Sequence, residues 1–137
     1  MGVFGSRKKS SANADWNITK QCLQLILEAS KSSYPKEFGG LLRVDDILKN
    51  TIVEVVLLPG TIAGDSHALF QLHMKPIDFS IVGTVHSHPS PNMHPSQADI
   101  QFFQKSGRIH IIAAQPYTPQ SWAAYNRDGA PARINVV

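Results

Sequence analysis

Residues 84–100 read T-V-H-S-H-P-S-P-N-M-H-P-S-Q-A-D-I, and three side chains in that run, His86, His88 and Asp99, have the types that bind a transition metal. Side chains two apart on a strand project from the same face, so His86 and His88 point together. Their Cα atoms would stand about 6.5–7 Å apart, which two imidazoles can close onto one ion at Zn–N distances near 2.0 Å. Seven residues separate His88 from Ser96, and prolines 89, 91 and 95 stiffen them. If Ser96 opens a helix, Asp99 lies one turn later on the same side, so hydroxyl and carboxylate face one site. Two His and one Asp leave the fourth tetrahedral position to water, the arrangement of a catalytic zinc. Ser96-x-x-Asp99 is also a capping-box pattern, and a first-turn Asp can cap and bind metal together, because capping uses only some of its acceptor sites.

The elements that must position these groups are those of one α/β domain over residues 15–137, with residues 1–14 a basic tail of low apolar content. Apolar residues Trp16, Leu23, Ile26 and Leu27 predict a first helix from Trp16 to about Ser32, capped by Asp15 or Asn17 and stopped by Tyr34-Pro35. Strands are predicted at 38–44, 52–58, 69–74, 81–86, 109–113 and 121–125, with a turn over 45–50. The run from Ile52 to Leu58 reads as covered on both faces, which implies helices flanking a sheet. A second helix is predicted over 97–105, closed by Gly107. Periodicity does not supply the strand order.

Charge and composition exclude other classes. The net charge is +3, but Arg7, Lys8 and Lys9 carry it, and the remaining ten basic and ten acidic residues cancel. A neutral body has no basic stripe for a phosphate backbone, so nucleic-acid binding is not expected. Hydrophobic residues make up 42% with no run long enough for a bilayer, and a cytoplasmic location is expected. Met1-Gly2 with Ser6 matches a loose myristoylation pattern, read as coincidental, so no membrane attachment is expected. The single Cys22 is read as an inert buried thiol. His94 sits in the proline-rich loop as an exposed residue, and His67, His73 and His110 read as structural or surface positions. Phe38, Tyr117, Trp122 and Tyr125 could line a groove, but their strand-rich segments favour the core.

The His-Ser-His-Pro run, the seven-residue gap to Ser96 and the Ser-x-x-Asp that follows resemble the JAMM (MPN-plus) zinc metalloproteases over about residues 16–137. The compact single-domain archaeal members are most similar. The resemblance implies a mixed, curved β-sheet flanked by helices, cytidine-deaminase-like, with one zinc per chain held by His86, His88 and Asp99. The family also places a catalytic Glu at the junction of first helix and first strand. Three Glu are present, 28, 37 and 54. Position alone makes Glu28 a solvent-facing helix residue, Glu54 an exposed strand residue and Glu37 a loop acid beside Lys36; the resemblance makes Glu37 the general base. It also implies Ser96 as a hydrogen-bond donor to the developing oxyanion, and an isopeptide substrate behind the Gly-Gly tail of a ubiquitin-like modifier. Alternatives are processing of a sulfur-carrier protein's C-terminus, and a RadC-like or non-catalytic MPN scaffold.

Overall fold

Trp16, Asn17 and Ile18 do not begin the first helix. In the computed structural model, which describes residues 16–57 and 78–137, they form strand β1 (Trp16–Ile18), with both apolar side chains buried and Asn17 between them. That alternation has period two, and parallel pairing with two other strands satisfies its backbone. The helix α1 (Lys20–Ser33) starts only after Thr19, whose hydroxyl accepts from Cys22 N at 3.1 Å. The cap is therefore Thr19 and not Asn17, while Asp15 lies outside the described residues, as do the tail and the 69–74 segment. Cys22, Leu23, Ile26 and Leu27 then fall on the buried stripe, as their spacing requires.

The strands that follow are β2 (Gly39–Val44), β3 (Thr51–Val56), β4 (Ile81–His88), β5 (Ile109–Ala114), β6 (Trp122–Asn126), β7 (Pro131–Ala132) and β8 (Ile134–Val136), with helix α2 (Gln97–Lys105) between β4 and β5. They make one mixed, curved sheet in the order β7-β6-β5-β4-β2-β3-β1-β8. β4 is central, antiparallel to β2 and parallel to β5. The sequence pattern gives β2 through β6 and α2 to within a few residues but not β1, β7 or β8, which are too short for a periodic signal. Nor is β3 covered on both faces: Val53 and Glu54 are exposed, and the Glu54 carboxylate pairs with Arg43 at 2.9 Å.

Glycine allows two close approaches in this sheet. A Cβ on Gly40 would lie 2.5 Å from a Val55 methyl, which accounts for a glycine in the interior of β2. A Cβ on Gly83 would lie 1.5 Å from the Ile109 carbonyl oxygen, so β4 and β5 can adopt their register only with glycine there.

Alternation along β5 divides the core between the two faces. Ile109, Ile111 and Ala113 join the large cluster with α1, whereas Ile112 joins Phe102, Phe103 and Tyr125 around α2. His110 faces α2 as well, stacked on Phe103 at 4.2 Å between centroids. It is buried, its Nδ1 bonds Thr84 Oγ1 at 2.8 Å and its Nε2 faces the Gly107 carbonyl at 3.2 Å. Nε2–H therefore donates to the carbonyl, and the neutral Nδ1 accepts from the hydroxyl.

Burial pushes the His110 pKa down to about 4. The unfolded chain takes up this proton near pH 6.5 and the native one only near pH 4, so stability is full above that window and falls as pH drops through it. Metal-free parent protein should lose roughly 2 kcal/mol more between pH 7 and 4.5 than His110→Gln protein in urea titrations. Equal losses would show that the ring is not held neutral.

Candidate metal centre

Antiparallel pairing with β2 and parallel pairing with β5 hold the end of β4 on both sides, opposite Gly39 and opposite Ile112 to Ala114. Strand alternation directs Thr84, His86 and His88 to the α2 face, where His86 lies 6.4 Å from the Phe103 ring between centroids. The strand runs through His88, two residues further than the sequence pattern marks, so both imidazoles stand on regular backbone.

Asp99 arrives from the other direction. Ser96 caps α2: its hydroxyl accepts from Asp99 N at 3.0 Å, and Asp99 Oδ2 accepts from Ser96 N at 2.9 Å. This reciprocal pair fixes the Asp99 rotamer, and a first-turn carboxylate is favoured by the helix dipole. It still leaves both oxygens directed at the imidazoles. His86 Nε2 is 3.4 Å from Oδ1, His88 Nε2 is 3.4 Å from Oδ2, and the two Nε2 atoms are 3.2 Å apart. Capping and site-building coexist in Asp99.

The loop between His88 and Ser96 is tied down at several points. His88 Nδ1 donates to the Asn92 carbonyl at 2.7 Å, Tyr125 Oη donates to the Met93 carbonyl at 2.6 Å, and Gln115 N donates to the Ser90 carbonyl at 3.0 Å. Tyr117 Oη donates to the His88 carbonyl itself at 2.9 Å. Tyr117 is a buried non-glycine residue at φ +63°, a left-handed conformation that costs energy and is retained where surrounding contacts enforce it.

These bonds specify the protonation pattern. With Nδ1–H committed to Asn92, the neutral His88 ring presents the Nε2 lone pair to the cluster. Nδ1 of His86 is buried and makes no hydrogen bond among the described residues, so that ring's polar engagement runs through Nε2. Burial would raise the Asp99 carboxyl, but the hydrogen bonds of His86 and His88, the charge of His86 and the Ser96 amide outweigh it and hold the group far below the usual carboxylate range. The Asp99 carboxylate in turn raises the His88 pKa against desolvation, with smaller contributions from the Asn92 carbonyl and the charge of Glu37.

The donor set fits zinc. The two Nε2 atoms stand 3.2 Å apart and each is 3.4 Å from a different oxygen of Asp99, and one ligand atom from each residue lies within 4.8 Å of the others, a compact set of two nitrogens and a carboxylate around one point. Two imidazole nitrogens and a carboxylate suit zinc better than the all-oxygen preference of calcium or magnesium. Among the described residues no fourth His, Cys, Asp or Glu joins the group, so a water or substrate position stays open. His94 is exposed on the loop and stands outside it.

Of the three Glu, Glu28 is exposed and 3.9 Å from Lys31, and Glu54 is held by Arg43. Glu37 is partly buried two residues before β2, and its charge is felt at His88 and at Tyr117. Ser96 is exposed beside Asp99, and accepting from Asp99 N leaves its own proton to donate. Cys22 is buried, with its thiol pushed up to about 11 mainly by desolvation, and so is inert. Phe38, Tyr117 and Tyr125 are buried in the core, while Trp122 is partly buried beside a groove of 530 Å³ that also borders Leu23, Leu27 and Pro119. Sequence reasoning missed Asn92, the position-fixing bond of Tyr117, and Ser87, whose partners lie as far as 49 residues away.

Residues 19–125 match the family model described as prokaryotic homologs of the JAB domain. A Haloferax volcanii protein described as a probable metalloprotease is 34% identical over 144 residues, spanning 100% of this chain and 85% of that protein. A solved structure described as a JAMM metalloprotease-like zinc site in the proteasome and signalosome is 36% identical, covers 89% of this chain and 97% of its own, and superposes with a TM-score of 0.69. A Jab1/MPN domain protein from Archaeoglobus fulgidus is 34% identical over 89% of this chain and 96% of its own, with a TM-score of 0.70. A His-His-Asp group able to hold a metal, on a fold shared with these proteins at such identity and coverage, leaves one assignment: the chain belongs to the JAB-domain (JAMM/MPN) family of metalloprotease-like proteins.

Proposed function

We propose that the protein is a zinc-dependent isopeptidase that hydrolyses the bond between the C-terminal Gly-Gly of a ubiquitin-like modifier and its target. The observation that carries the reading is the convergence of His86 Nε2, His88 Nε2 and the Asp99 carboxylate, with the nitrogens 3.2 Å apart and each 3.4 Å from one carboxylate oxygen. The Haloferax volcanii relative supports hydrolysis of a peptide-type bond, and the resemblance to the JAMM enzymes supplies the substrate class. A scaffold role would not need a whole ligand set.

Bound zinc would supply Lewis-acid polarisation of the scissile carbonyl and would lower the pKa of a water to about 7. Glu37 accepts a proton from the attacking water and passes it to the leaving amine, which departs neutral. Ser96 donates its hydroxyl proton in a hydrogen bond to the developing oxyanion, an interaction worth about 3–4 kcal/mol at comparable positions. Asn92 and Tyr117 keep His88 in one tautomer and one place.

Zinc-loaded protein should release the intact modifier, ending in Gly-Gly, from an isopeptide-linked conjugate, with the mass of each product read directly. Release of a single amino acid or small group from a free modifier terminus would instead establish the sulfur-carrier processing reading. Conjugates left whole by fully zinc-loaded protein would defeat the isopeptidase reading.

A further inference from the structure

Ser87 lies between two residues of the metal cluster but on the other face of β4, fully buried on the α1 side of the sheet. Its amide donates to the Phe38 carbonyl at 2.9 Å, extending the β2–β4 ladder one residue past the Gly39–His86 pair. In a hydrogen-bonded antiparallel pair the reciprocal bond would run from Phe38 N to the Ser87 carbonyl. Here Phe38 N donates to Ser87 Oγ, at 2.8 Å. The last rung of the ladder is thus one backbone bond and one side-chain bond. Phe38 is itself buried in the α1 core, and the residue before it is Glu37.

We infer that Ser87 is the positioning residue for Glu37, clamping the start of β2 to the strand that carries His86 and His88 so that the carboxylate is held against the metal cluster. The inference rests on the reading of Glu37 as base. Glu37 follows the turn after α1, and among the described residues its segment is tied to the ligand-bearing strand through the adjoining Phe38 rung. The hydroxyl supplies the acceptor that the Ser87 carbonyl supplies in a regular rung, and it fixes the Phe38 amide. Loss of the hydroxyl leaves a buried amide without its acceptor and lets the segment before Gly39 shift, while His86, His88 and Asp99 keep every bond described above.

The test needs no substrate. With only three Glu in the chain, the side-chain carboxyl signals of 13C-labelled protein can be followed while zinc is added. In the parent, zinc should displace the Glu37 signal and leave Glu28 and Glu54, in their surface ion pairs, unmoved. In Ser87→Ala protein, at equal zinc content, the Glu37 displacement should fall at least threefold, and Ser87→Thr should restore it. If Ser87→Ala does not fold, Ser87→Thr and Ser87→Val, which differ only by hydroxyl for methyl, give the same comparison. Ser87→Ala should also lower kcat at least tenfold with KM nearly unchanged, and should add less than about twofold in a Glu37→Gln background, because the two residues act as a unit. A full Glu37 displacement in the zinc-loaded variant lacking the hydroxyl overturns the role of Ser87 alone. No displacement in the parent removes Glu37 as base and the inference with it.

Discussion

Zinc-loaded Glu37→Gln protein should turn over an isopeptide conjugate at least about a hundredfold more slowly than the parent, with zinc content and KM little changed. The substitution keeps size and hydrogen-bonding capacity and removes only the ability to accept a proton. Proton acceptance and delivery are needed in the transition state and not for binding, so the loss falls on kcat, at about 2.7 kcal/mol for a hundredfold. The other two Glu are already engaged with Lys31 and Arg43 on the surface, so neither can take over. The comparison is steady-state kinetics of both proteins after dialysis against the same zinc buffer. A variant within threefold of the parent would remove Glu37 from the reaction and leave the metal assignment intact.

The second large effect is on metal content. Parent protein should bind about one zinc per chain, whereas His86→Ala and Asp99→Asn proteins should retain little after gel filtration, because each removes one of three ligands. Asp99→Asn is the sharper variant. It keeps a side-chain oxygen to accept from Ser96 N, so α2 stays capped, and it removes the charge that raises His88. Free zinc at a hundredfold excess over Kd should stabilise the parent by about 2.7 kcal/mol and the variants by far less, measured as a shift of the urea midpoint. Stoichiometric zinc retained by both variants would refute the ligand set.

The stability of the site comes from bonds that serve two ends. Asp99 caps a helix and faces both imidazoles, and His88 is oriented by a loop carbonyl at Nδ1 while Nε2 enters the cluster. Such sharing costs little additional ordering on metal binding, because each rotamer is already fixed by the fold. Asn92 and Tyr117 therefore belong to the site although neither could contribute a ligand oxygen to it in this arrangement: one gives its backbone carbonyl to His88 Nδ1 and the other its hydroxyl proton to the His88 carbonyl.

The local chemistry of the site was legible in the sequence because it depends on short spacings. Strand alternation puts His86 and His88 on one face, and helical spacing puts Asp99 one turn after its Ser96 cap, whatever the rest of the chain does. Tertiary pairing decided the rest. It made Trp16–Ile18 a strand against the helical spacing of their apolar neighbours, and opened one side of β3 at Val53 and Glu54. It also set β4 between β2 and β5, an order that periodicity does not encode because each strand's alternation is the same for any neighbour. The Ser87 hydroxyl on Phe38 and the Tyr117 hydroxyl on His88 join residues 49 and 29 positions apart. Nothing in their own segments marks those partners, so the sequence by itself marked His86, His88 and Asp99 as candidate ligands, and the fold alone decided which distant residues tie down the backbone around them.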